Sequence, residues 1–86
     1  MKNVVITGSS RGIGFELTKL FSDKGFKVFA LSRNISIISN LKLPNVVPYY
    51  LDISSEKSIS KVVKLISKEL KQVDVLINNA GNLINK

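Results

Sequence analysis

The chain has no cysteine, no histidine and no tryptophan. Without cysteine there is no disulfide framework and no thiolate metal site. Without histidine the commonest metal ligand and general base is missing. Acidic residues are scarce, 6 against 13 lysines and arginines, giving a net charge of +7. No apolar run approaches the ~20 residues that a bilayer-spanning helix needs. The run after Met1-Lys2-Asn3 stops at Ile6, too short for the core of a signal peptide. A soluble, cytoplasmic protein without membrane contact is therefore the expectation. The 86 residues bound the chain to one small domain. A domain of that size buries only ~60–65% of its unfolded surface, so modest stability follows. A hydrophobic content of 44% argues against disorder.

The positive charge raises a nucleic-acid reading, and its distribution weakens it. Lys57, Lys61, Lys64, Lys68 and Lys71 recur at steps of 4, 3, 4 and 3, along one helical face. Ile59, Val62, Val63, Ile66 and Leu70 occupy the opposite positions. This is the pattern of a packed helix with a solvated basic side. An acidic partner is the alternative, since a basic stripe attracts phosphate backbones. No aromatic residue interleaves with these lysines, so base stacking has no candidate and no nucleic-acid partner is expected.

What the chain does have is a glycine turn. The apolar run Val4-Val5-Ile6 leads into Thr7-Gly8-Ser9-Ser10-Arg11-Gly12-Ile13-Gly14, with glycines spaced G-x-x-x-G-x-G. An amphipathic pattern of Ile13, Leu17, Leu20 and Phe21 starts at once. A strand thus enters a helix through a turn almost free of side chains. Backbone N–H groups and the positive end of a helix dipole then face one spot, where a phosphate fits. One glycine permits the tight turn, one lets a diphosphate approach the backbone, and one lets helix and strand pack closely. The spacing is not that of a P-loop, and no lysine follows the last glycine.

Strands and helices alternate along the rest of the chain. Strands are expected at Lys2–Thr7, Lys27–Ser32, Val46–Leu51 and Val73–Asn78, and helices at Gly12–Lys24, Ile35–Leu41 and Ser55–Lys71. Gly25 should close the first helix, and Ser54 or Ser55 should cap the third. Pro48 marks the third strand as an edge or an imperfect ladder. The order β-α-β-α-β-α-β with right-handed crossovers gives a parallel sheet in the order 3-2-1-4. Ligands of such sheets bind beyond the carboxyl ends, at the switch point between strands 1 and 4. The glycine turn and Asn78-Asn79-Ala80-Gly81 both fall there.

Three of these stretches resemble the short-chain dehydrogenases/reductases. Thr7–Gly14 is similar to that family's T-G-x-x-x-G-I-G cofactor turn, Asn78–Gly81 to its N-N-A-G motif, and Leu51-Asp52-Ile53-Ser54 to its acidic turn after strand 3. The resemblance runs from Lys2 to about Gly81. It implies a Rossmann-type, three-layer αβα fold of the α/β class, here a partial doubly wound domain over residues 1–86. It also implies roles. Gly8, Ser10, Arg11, Gly12, Ile13 and Gly14 would line the diphosphate and adenosine ribose. Asp52 would accept from the adenine amino group, with Ile53 beside it. Asn78, Ala80 and Gly81 would lie under the cofactor ribose, with Asn78 also bracing the sheet. Purely structural roles stay open: packing for Gly14, a turn or cap for Asp52, bracing alone for Asn78. Ser9 reads as a small turn residue.

Charge then selects the cofactor. An acidic residue at the end of strand 2 would bind the ribose 2′-OH of NAD. The chain has Ser32 there, followed by Arg33. A guanidinium is a fork suited to phosphate, and Arg11 in the turn could reach the same place. The expectation is NADP(H) in preference to NAD(H), with a solvated loop residue as the plainer reading of Arg33.

The family's catalytic Y-x-x-x-K is absent. Tyr49 and Tyr50 are followed four residues on by Ile53 and Ser54, and they read as packing residues of strand 3. No catalytic residue is assigned. The chain reads as the amino-terminal, cofactor-binding part of an oxidoreductase that would act on a carbonyl or alcohol. A small-molecule substrate is then expected only for a longer parent. A non-catalytic NAD(P)-binding module is the alternative. The strand Val73–Asn78 would form an unpaired apolar edge, so self-association through it is also expected.

Overall fold

The computed structural model of the protein describes residues 2–70 and 72–79. Over them the order is β1 (Asn3–Thr7), α1 (Gly12–Asp23), β2 (Lys27–Ser32), α2 (Ile35–Ser39), β3 (Val46–Tyr50), α3 (Glu56–Glu69) and β4 (Val75–Asn78). The four strands form one parallel sheet in the order β3-β2-β1-β4, as expected. No helix among the described residues is long and apolar enough to cross a membrane.

The continuous apolar runs are explained by burial on both faces. On one face Val4, Ile6, Val28 and Ala30 pack with Ile38 of α2 and with Phe15, Leu17 and Phe21 of α1. On the other, Val5, Phe29 and Leu31 pack with Leu51 and with Val62 and Ile66 of α3. The sheet is thus the middle layer of three.

Element ends differ from the sequence reading for local reasons. β4 starts at Val75 rather than Val73, because the Asp74 carboxylate accepts from the Asn3 N–H at 2.8 Å and the Gln72 amide at 3.2 Å, bending the chain first. α2 stops at Ser39, and Lys42 takes a φ of 53° as the chain turns toward β3. α3 is capped by Ser55, whose hydroxyl accepts the Ser58 N–H at 3.2 Å. α1 ends in a left-handed cap. Gly25, at φ 87°, donates to the Ser22 carbonyl, and Phe26 donates to that of Phe21. The Phe21 and Phe26 rings then meet edge to face at 4.9 Å. Asn45 fastens this corner to β3: its amide donates to the Ser22 and Phe26 carbonyls at 2.9 and 2.7 Å and accepts the Ser22 hydroxyl at 2.7 Å.

The helix faces also differ from the sequence periodicity. Ile13 is 71% exposed and Leu20 is 47% exposed, while Gly14 and Thr18 are the buried residues of α1. The helix lies so close to the sheet that small residues make the contact. On α3, Val62 is buried, but Ile59 and Val63 are exposed. Tyr49 packs parallel to Phe29 with ring centroids 6.1 Å apart, whereas Tyr50 faces solvent.

Gly14 sets the height of α1 over β1. A Cβ there would overlap the Gly8 carbonyl oxygen and lie 2.9 Å from Asn79 Nδ2. The packing role considered for Gly14 is therefore present. Gly14→Ala should cost about 1–3 kcal/mol through overpacking against backbone, read from urea denaturation.

A second contact sits at the far end of α3. The Tyr49 hydroxyl donates to Glu69 Oε2 at 2.6 Å, and Lys27 lies 3.6 Å from Oε1. The bond to Glu69, with burial, pushes the phenol up to about 12. A phenol raised above its unfolded value contributes stability below about pH 10 and loses it as pH rises toward 12. The melting temperature of the wild type should therefore fall more steeply between these values than that of Tyr49→Phe.

Candidate functional site

β1 does not stop pairing at Thr7. The Ser9 N–H continues the ladder by donating to the Leu31 carbonyl at 3.2 Å, and the wholly buried Ser9 hydroxyl donates to the same oxygen at 3.1 Å. Gly8 at φ 65° and Gly12 at φ 60° supply the left-handed conformations that reverse the chain into α1.

The amino end of that helix is left without a side-chain cap. Its N-cap is Arg11, extended at φ −160° and ψ 166°, with no side-chain capping bond. A guanidinium has donors only, so it cannot satisfy first-turn N–H groups as serine or aspartate would. The first turn holds no acidic residue to offset the dipole. Arg11, Gly12 and Ile13 are exposed, and a Cβ on Gly12 would meet nothing within 4 Å. Ser10 and Gly8 are half-buried behind them.

The turn is braced from β4 as well. The Thr7 hydroxyl lies 3.0 Å from Asn78 Oδ1 and accepts the Asn79 N–H at 2.9 Å. The Asn79 amide donates to the Gly8 carbonyl at 3.3 Å. The bracing role expected of Asn78 is thus shared with Thr7 and Asn79. Ala80 and Gly81 lie outside the described residues.

The third part lies at the ends of β2 and β3. Ser32 is buried, its hydroxyl accepts the Asn34 N–H at 3.0 Å, and its carbonyl accepts the Leu51 N–H at 3.0 Å. Arg33 is exposed. Asp52 Oδ1 accepts the Ser54 hydroxyl at 2.7 Å and the Ser54 N–H at 3.0 Å. These bonds, assisted by the Arg33 charge, hold the carboxyl below its usual range. Asp52 therefore fills the turn role as well as remaining an acceptor. Ile53 is exposed beside it.

Parallel register places all three parts along one edge. Thr7 pairs with Leu31 and Asn78, and Ser32 pairs with Tyr50. The strands' carboxyl ends thus present a glycine turn with an uncapped helix end, two arginines and an acidic turn in a row. A ligand combining phosphates with a hydrogen-bonding ring matches that row. Tyr49 does not join it, since its hydroxyl is held by Glu69, the last residue of α3. The sequence reading took Ser9 as a small turn residue and had Asn79 within the N-N-A-G motif, but gave neither a site role.

The family model for short chain dehydrogenases matches residues 2–86. The chain is similar to farnesol dehydrogenase from Aedes aegypti, 36% identical over 89 residues, covering 95% of this chain and 36% of that one. It is also similar to NADP-dependent 3-hydroxy acid dehydrogenase from Schizosaccharomyces pombe, 36% identical over 91 residues, covering 93% of this chain and 34% of the relative. Among solved structures it matches salutaridine reductase from Papaver somniferum with a TM-score of 0.80 and 30% identity, over 94% of this chain and 30% of that one. The chain spans about a third of the length of the curated relatives it matches. The match over nearly every residue agrees with the strand order and the glycine turn, and the chain belongs to the short-chain dehydrogenase family.

Proposed function

We propose that residues 1–86 form a partial dinucleotide-binding domain of a cytoplasmic oxidoreductase that uses NADP(H) in preference to NAD(H). The bound nicotinamide would exchange a hydride with a carbonyl or alcohol carbon. The observation that carries the cofactor choice is the end of β2, where Ser32 and Arg33 stand in place of an acid. A carboxylate there would repel a 2′-phosphate, and Arg33 offers it a planar donor fork.

The residues present fit such a group. Gly12 leaves open space where a Cβ would stand, and the donor-only N-cap Arg11 leaves the amino end of α1 calling for an anion. Gly8, Ser10, Arg11, Gly12 and Ile13 would hold the diphosphate, with Gly14 keeping the helix close behind it. Asp52 would orient the adenine through its acceptor oxygens, with Ile53 against the ring. Asn78, followed by Ala80 and Gly81, would support the ribose. A relative named as NADP-dependent supports the same cofactor.

A second reading is a dinucleotide-binding module without catalysis. It is favoured by Tyr49, whose hydroxyl is bonded to Glu69. Both readings predict cofactor binding, and neither predicts carbonyl turnover by these residues alone. An in-frame Y-x-x-x-K downstream in the gene would decide for the oxidoreductase.

The sheet edge suggests a second copy as partner. Among the described residues β4 pairs only with β1, and Leu76 on it is 66% exposed. The other edge is β3, where Pro48 removes a donor. We propose pairing of copies through β4, which Leu76→Lys should suppress in sedimentation velocity.

For the cofactor, Arg33→Ala should weaken NADPH binding about tenfold or more in a calorimetric titration and leave NADH nearly unchanged, as expected for one charge-assisted contact. Equal losses for both would overturn the assignment.

A further inference from the structure

Ser9 is one of the few wholly buried polar residues, and its placement exceeds what a turn requires. The strand ladder needs only its N–H. Its hydroxyl adds a second donor to the same Leu31 carbonyl, at 3.1 Å beside 3.2 Å. That carbonyl belongs to the residue immediately before Ser32. From there the bonding continues outward. The Ser32 hydroxyl fixes the Asn34 N–H at 3.0 Å, clasping Arg33 between them, and the Ser32 carbonyl takes the Leu51 N–H at 3.0 Å. A continuous rim of hydrogen bonds therefore runs from the glycine turn across β2 to the start of the Asp52 turn.

The β1–β2 ladder aligns the strands as far as Thr7 and Leu31, and the Ser9 hydroxyl adds a second bond just where the turn leaves that ladder. The turn that faces the diphosphate and the loop that carries Arg33 are thereby held at one separation. A ligand with anionic groups at both places gains from that fixed spacing, because the second contact forms without further ordering. A ligand with an anion at one place only gains nothing. We propose that Ser9 is a positioning residue that sets the distance between the diphosphate turn and Arg33, and so contributes to discrimination between NADPH and NADH. This rests on the NADP(H) reading above.

The test uses the whole 86-residue chain. Ser9→Ala removes the hydroxyl without orphaning a group, because the Leu31 carbonyl keeps the residue 9 N–H. Ser9→Cys keeps the side-chain volume with a weak donor and serves where the smaller residue loosens the core. Each form is titrated, with amide chemical shifts as readout, against NADPH, NADH and 2′-AMP. The first spans both places, the second lacks the 2′-phosphate, and the third lacks the diphosphate. Both variants should lose about fivefold in NADPH affinity, with NADH and 2′-AMP changed less than about twofold. A uniform loss for all three ligands would make Ser9 a merely structural residue and overturn the proposal. An unchanged NADPH affinity would overturn it too. A wild-type chain that does not favour NADPH would instead overturn the cofactor reading itself, before any variant is compared.

Discussion

The arrangement depends on how closely α1 approaches the end of β1. The Gly8 carbonyl is pressed against Gly14 on one side and accepts the Asn79 amide on another. Both contacts turn that oxygen inward. With that carbonyl engaged and the Ser9 N–H given to Leu31, the uncapped first-turn N–H groups of α1 are the donors that the proposed phosphate would meet. Neither glycine acts alone. The left-handed φ of Gly8 aims the carbonyl, and the missing Cβ of Gly14 makes room for it.

Charge completes what the backbone begins. The first turn of α1 carries no acid, its cap is an arginine, and the next strand end carries another. Asp52, also on this edge, has its carboxyl held below the usual range mainly by hydrogen bonds from its own Ser54. The edge is therefore positive over the stretch proposed for phosphate and has an acceptor one strand further along. This ordering follows the parallel register, which brings every strand's carboxyl end to one side.

Much of this was legible in the sequence. Glycine spacing, the run Val4-Val5-Ile6 and the alternation of elements gave the strand order, and the Ser32-Arg33 pair stood out by the acid it lacks. What stayed hidden shares one property: it depends on a partner far along the chain. Ser9 is explained by Leu31, Asn79 by Gly8, and Tyr49 by Glu69. Helical periodicity was equally blind to distance. It placed Ile13 and Leu20 in the packing stripe, where the close approach of α1 admits Gly14 and Thr18 instead. On α3 it grouped Ile59 and Val63 with Val62, although only Val62 is covered.

The pairing of β1 with β4 has a temporal side. The Thr7 hydroxyl and the Asn79 N–H that it accepts are separated by 72 positions, nearly the whole described chain. As the polypeptide leaves the ribosome, β1 can join β2 early, but its other flank waits until β4 has emerged. The bend after β1 acquires its braces to Thr7 and Gly8 only once Asn79 has been added.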